Sequence, residues 1–116
     1  MTVRIYHNSH CSKSRGALEL LQARGLEPEV VNYLDTPPRV DELKSLLRLL
    51  GMTPRQLLRT GEPEYKELKL DDPALGDEAI LSAMASHPKL IERPIVVANG
   101  KAAIGRPPEA VLAILA

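Results

Sequence analysis

Cys11 is the only cysteine in the 116-residue chain, and it falls in a polar break, Asn8-Ser9-His10-Cys11-Ser12. The residues before the break read as a strand and those after it as a helix. A helix N-terminus presents unpaired N–H groups and about half a positive charge. A thiol placed there is acidified, from about 8.5 to roughly 3.5–7.5, and its thiolate is the nucleophilic form. His7 and Arg15 bracket Cys11 and can add positive charge. The polar neighbours Asn8, Ser9, His10, Ser12, Lys13 and Ser14 predict an accessible thiol rather than an inert buried one.

Residues 11–14 read Cys-Ser-Lys-Ser. Dithiol oxidoreductases carry a second cysteine where Ser14 stands. A hydroxyl can hydrogen-bond or cap the helix, but it cannot resolve a mixed disulfide. Any redox cycle on Cys11 therefore takes its second thiol from outside the chain. Arg59, Arg93 and Arg106 each sit at a junction between expected elements, the last two directly before prolines. Guanidinium forks suit oxyanions because they stay charged and bind bidentately. Spacing alone does not show that the three converge. His10 reads as a solvated loop residue and His87 as a helix end. No His, Cys and carboxylate residues have metal-ligand spacing, and no Gly-rich phosphate loop is present.

These side chains need elements to position them. Residues 2–7 alternate apolar with polar and predict a strand. Ala17, Leu18, Leu20, Leu21 and Ala23 form a helical stripe closed by Gly25. Pro28 opens a second strand that ends near Leu34, completing a βαβ unit with parallel strands. Val40, Leu43, Leu46, Leu47 and Leu50 repeat at helical spacing up to Gly51. Thr53-Pro54 pairs an N-cap with proline at the first helical position. Glu64–Leu70 predicts a further turn or two, and Asp77 caps a helix carrying Ile80 and Met84. Residues 94–98 predict a buried strand, and Asn99-Gly100 a tight hairpin to Lys101–Gly105. Pro107-Pro108 then opens a last helix with Val111, Leu112, Ile114 and Leu115 on one face.

The order β-α-β, a helical insert over about 36–88, then β-β-α predicts an α/β chain. It corresponds to one thioredoxin-like (glutaredoxin-like) domain over 1–116, a mixed sheet with the insert between its halves. A cis proline faces the active cysteine in such folds, which makes Pro94 the expected cis residue.

Composition narrows the function classes. Fifteen basic and fifteen acidic residues leave no net charge, which argues against nucleic acid as a partner. No apolar run reaches the ~20 residues of a membrane span, and the N-terminus lacks a signal-peptide pattern. A single cysteine forms no internal disulfide. A reducing cytoplasm is the expected location.

Several segments together resemble one family. They are Tyr6-His7-Asn8, Cys11-Ser12-Lys13-Ser14-Arg15, Tyr33-Leu34-Asp35-Thr36-Pro37-Pro38 and Leu57-Leu58-Arg59. His87-Pro88, Ile91-Glu92-Arg93-Pro94-Ile95-Val96-Val97 and Gly105-Arg106-Pro107-Pro108 extend the match over essentially the whole chain. The chain resembles the glutaredoxin-coupled arsenate reductases, the ArsC-like family, and within it a YfgD-like branch. The resemblance implies that Cys11 attacks arsenate while Arg59, Arg93 and Arg106 hold the oxyanion. It implies that His7 favours the thiolate. Glutathione would then attack the adduct as co-substrate, with no tightly bound cofactor, and glutaredoxin would complete reduction to arsenite. Ser9 replaces a proline of the best-known members, and Ser12-Lys13 replaces their Gly-Thr. Two other roles fit parts of the pattern: a monothiol glutathione-dependent redox protein, and an Spx-like regulator that binds RNA polymerase. Ser14 speaks against the second, whose members carry Cys-x-x-Cys.

Overall fold

The computed structural model describes residues 2–115. They divide into two compact units, one formed by residues 2–36 with 93–115 and the other by residues 37–92.

The first unit is built on a four-stranded sheet. Its strands are β1 (Val3–His7), β2 (Glu29–Asn32), β3 (Ile95–Ala98) and β4 (Lys101–Ile104). Their order across the sheet is β2-β1-β3-β4. β1 runs parallel to β2 with Ile5 opposite Val30, and antiparallel to β3 with Ile5 opposite Val96. Helix α1 (Ser12–Ala23) supplies the crossover between β1 and β2. Alternation sends Val3, Ile5 and His7 to one face of β1. Val3 and Ile5 pack there with Ala17 and Leu21 of α1, Val96 and Ala98 of β3, and Val111 and Ile114 near the C-terminus. The expected hairpin is present, with Asn99 at φ 56° and Gly100 at φ 71°. The C-terminal segment Pro108–Ile114 forms a 3₁₀ helix rather than the expected α-helix. The two prolines that open it donate no N–H, and the short segment left gains little from i→i−4 bonding.

The second unit is helical: α2 (Val40–Leu50), α3 (Pro54–Leu57), α4 (Pro63–Glu67) and α5 (Asp77–Ser86), then a 3₁₀ turn over Pro88–Leu90. Gly51 ends α2 in the left-handed conformation at φ 66°, as its C-cap position requires. Thr53 and Gln56 form a reciprocal capping box at the start of α3. Gly76, not Asp77, is the N-cap of α5, and Asp77 is its first helical residue. Arg55 draws the segment after α4 inward by donating to the carbonyls of Leu70, Asp72 and Leu75.

Candidate active site

Cys11 is the N-cap residue of α1, in extended conformation. Its N–H donates to Asn8 O at 3.0 Å, closing the loop, and its carbonyl accepts the first helical bond from Arg15 N at 3.0 Å. Contrary to the expectation from its polar neighbours, Cys11 is buried, at 8% exposure. Ser12 and Lys13 do point to solvent. The extended N-cap instead turns the thiol away from them.

Burial is the largest influence on the thiol and pushes its pKa up. Opposing causes outweigh it, and the net pKa is lowered. In order they are the backbone N–H of Ser14, the Arg93 charge, the N–H of Lys13 and a hydrogen bond from the Arg93 side chain. The two N–H groups act as dipoles aimed at the sulfur, since Cys11 makes no side-chain capping bond. The cation acting on the thiol is thus Arg93, brought in at the start of β3. Proximity in sequence had pointed to His7 and Arg15.

His7 and Ser14 form a buried pair. Ser14 shares a stripe with Ala17 and Leu21, three and seven residues on, so it faces the sheet and is fully buried. His7 ends β1 on the face that looks at this stripe. The His7 Nδ1 and Ser14 Oγ lie 2.6 Å apart, and Ser14 Oγ accepts the Asn8 N–H at 3.0 Å. Burial, and then the positive charge of Arg15, lower the pKa of His7. The ring is therefore held neutral at neutral pH. Arg15 donates from Nη1 to Ser9 O at 2.8 Å, across the loop.

Asn8, not among the expected site residues, organises the loop. Its N–H binds Ser14, its carbonyl binds Cys11 N, and its Oδ1 accepts His10 N–H at 3.0 Å. Asn directly after a strand, two residues before another polar residue, is an Asx-turn signal that could have marked it.

The Arg93–Pro94 peptide bond is cis, as is Arg106–Pro107. Pro94 is buried, and the neighbouring strand comes close to it. A Cβ on Gly105 would lie 2.8 Å from Pro94 Cγ and 3.2 Å from Ala17 Cβ. Gly105 N donates to Pro94 O at 2.9 Å, and Arg106 Nη1 reaches Arg93 O at 3.5 Å. Cys11, Arg93 and Arg106 are thereby gathered at one end of the first unit. A polar cavity of about 110 Å³ beside the loop is lined by His7, Asn8, Ser9, His10, Asn32, Leu34 and Asp35.

Arg59 belongs to the second unit. Its backbone N–H donates to Leu90 O at 2.7 Å, and its guanidinium pairs with Glu62 at 2.6 Å and Glu92 at 3.9 Å. That unit also holds a larger cavity of about 560 Å³ beside α2 and α5, lined by Lys44, Leu47 and Leu81 among others, with no cysteine, serine or histidine. Among the described residues, no cluster of His, Cys, Asp and Glu has the arrangement of a metal site. No helix among them is long and apolar enough to cross a membrane.

The ArsC family model matches residues 6–114. The chain belongs to the ArsC family. The uncharacterised protein YfgD of Escherichia coli K12 is 59% identical over 114 residues, covering 97% of this chain and 96% of its own. An arsenate reductase of Haemophilus influenzae is 48% identical over 116 residues, covering 99% of this chain and all of its own. The structure of an arsenate reductase from Vibrio cholerae superposes with a TM-score of 0.97 at 57% identity, over 99% of this chain and 98% of that one. The thioredoxin-like architecture expected from element order is thus shared with ArsC-family structures.

Proposed function

We propose that the protein reduces arsenate to arsenite through Cys11, using glutathione and glutaredoxin as external thiol sources. The observation that carries this reading is Cys11 at the N-cap of α1, where the helix N–H groups and the Arg93 charge lower the thiol pKa despite burial. One guanidinium there both favours the thiolate and offers a fork to an oxyanion that the thiolate attacks. Family membership supports it, as do relatives from Haemophilus influenzae and Vibrio cholerae that carry the name arsenate reductase.

The chemistry balances as follows. The Cys11 sulfur bonds to arsenic and one arsenate oxygen departs as water, leaving arsenic in the +5 state. Glutathione thiolate then attacks the Cys11 sulfur. The S–As bond breaks, its electron pair stays on arsenic, and arsenite leaves. Cys11 remains as a mixed disulfide with glutathione. A further thiol, from glutaredoxin, takes up that glutathione and frees Cys11. Per turnover, two thiols become one disulfide, and arsenate becomes arsenite and water. Cys11 is the nucleophile, and Arg93 and Arg106 bind the oxyanion. Arg59 is assigned the same task on family resemblance alone. Ser14 and His7 fix the loop, and Arg15 clasps it.

The test is arsenite formation by purified protein supplied with arsenate, glutathione and glutaredoxin. Wild type should turn over, and Cys11→Ser should not. Arg59→Ala should lose on the order of 100–1,000-fold in kcat, as loss of one oxyanion donor does. Wild-type protein that forms no arsenite under these conditions would overturn the reading.

A further inference from the structure

The loop that carries Cys11 and the segment that carries Arg93 have no carboxylate. None occurs over residues 7–18 or 93–108, whereas Lys13, Arg15, Arg93 and Arg106 all fall there. Lys13, Arg15 and Arg106 are exposed, while Cys11 is buried beneath this surface. Contacts join the two segments. A Cβ on Gly16 would lie 3.1 Å from Pro108 Cγ and one on Gly105 3.2 Å from Ala17 Cβ, and the Arg93 charge acts on the Cys11 thiol.

The first turn of α1 differs from those of the other long helices. α2 opens with Asp41 and Glu42, and α5 with Asp77 and Glu78, the residues a helix dipole favours there. α1 has no acidic residue in its first turn and carries Lys13 instead. A cation there opposes the dipole, so local helix stability does not account for it. Arg15 is engaged with Ser9 O, and Arg93 and Arg106 are assigned to the oxyanion. Lys13 has no such task and stands exposed two residues from the nucleophile.

We propose that this cationic rim, through Lys13, selects the incoming second thiol by charge, favouring a small thiol that bears carboxylates. The inference rests on the reading of Cys11 as a monothiol that borrows its second sulfur. It goes further by naming the residue that discriminates and the property it reads.

The test omits arsenate. Methyl methanethiosulfonate converts the Cys11 thiolate to its S-methyl disulfide and releases methanesulfinate. A thiolate then attacks the outer sulfur, forming its own methyl disulfide and returning the Cys11 thiolate, with no net change in oxidation state. The rates for 3-mercaptopropionate, 2-mercaptoethanol and cysteamine, which are anionic, neutral and cationic, are each divided by the rate on the S-methyl disulfide of N-acetylcysteine amide. This removes intrinsic nucleophilicity. The expected order is anionic over neutral over cationic, with steps on the order of threefold at low salt that shrink in ~0.5 M salt. Lys13→Gln should shrink each step and Lys13→Glu shrink it further, while Lys13→Arg keeps it. Circular dichroism checks that each variant is folded.

Equal normalised rates in the wild type, or a preference undiminished in Lys13→Gln, would overturn the proposal. An absence of arsenate turnover alongside the expected thiol order would instead overturn the arsenate reading and leave this one standing.

Discussion

At Cys11 two opposing effects meet on one sulfur atom. Burial raises the pKa, and the Ser14 N–H, the Arg93 charge, the Lys13 N–H and the Arg93 hydrogen bond together lower it further than burial raises it. The rate of alkylation by iodoacetamide should therefore titrate with a midpoint below that of the same cysteine in the unfolded chain. In Arg93→Gln the midpoint should move up, because burial stays and a charge is lost. The same shift bears on stability. An acid whose pKa is depressed by folding stabilises the fold fully above its unfolded value, and this contribution fades as pH falls through the folded value. The stability of wild type relative to Cys11→Ser, followed by urea unfolding, should thus grow as pH rises toward the unfolded thiol's pKa. The acidic thiol was legible from a cysteine between strand and helix. Its cation was not, because Arg93 is distant in the chain and spacing carries no information about such a meeting. The burial of Ser14 was readable from its register with Ala17 and Leu21. A polar residue in an apolar stripe signals a buried partner, here His7.

At the scale of elements, the site depends on how closely β4 and α1 approach the turn before β3. Gly105 allows this, since a methyl group there would meet Pro94 Cγ at 2.8 Å and Ala17 Cβ at 3.2 Å. Neither neighbour is a flexible side chain that can swing aside. Gly105→Ala should destabilise by about 1–3 kcal/mol in urea unfolding, the usual cost of overpacking. It should also raise the Cys11 alkylation midpoint, because Arg93 precedes the displaced proline. Helix α1 offers the opposite exchange. Replacing Lys13 with Glu puts a carboxylate at the positive end of the helix, and should stabilise by about 0.5 kcal/mol or more in low salt. Most elements could be read from the sequence because capping, periodicity and turn signals agree, as at Thr53-Pro54, Gly51 and Asn99-Gly100. The C-terminal segment could not. Its apolar spacing suits an α-helix, but two prolines and a short run yield 3₁₀ geometry.

At the scale of the whole molecule, the unit that carries Cys11 is discontinuous. Residues 2–36 hold the nucleophile, and residues 93–115 hold Arg93, β3 and β4. β3 lies between β1 and β4 in the sheet, so β1 lacks its antiparallel neighbour until the later segment arrives. A chain ended at Glu92 should alkylate at Cys11 with the midpoint of an ordinary thiol, about 8.5, and give no near-ultraviolet signature of a packed core. A midpoint still lowered in that fragment would show that the start of α1 alone acidifies the sulfur. Synthesis runs from the N-terminus, so the growing polypeptide exposes its single thiol long before Arg93 is made. Through that interval the sulfur has ordinary reactivity and is a poor target for oxidants and electrophiles. Only the finished chain arms it.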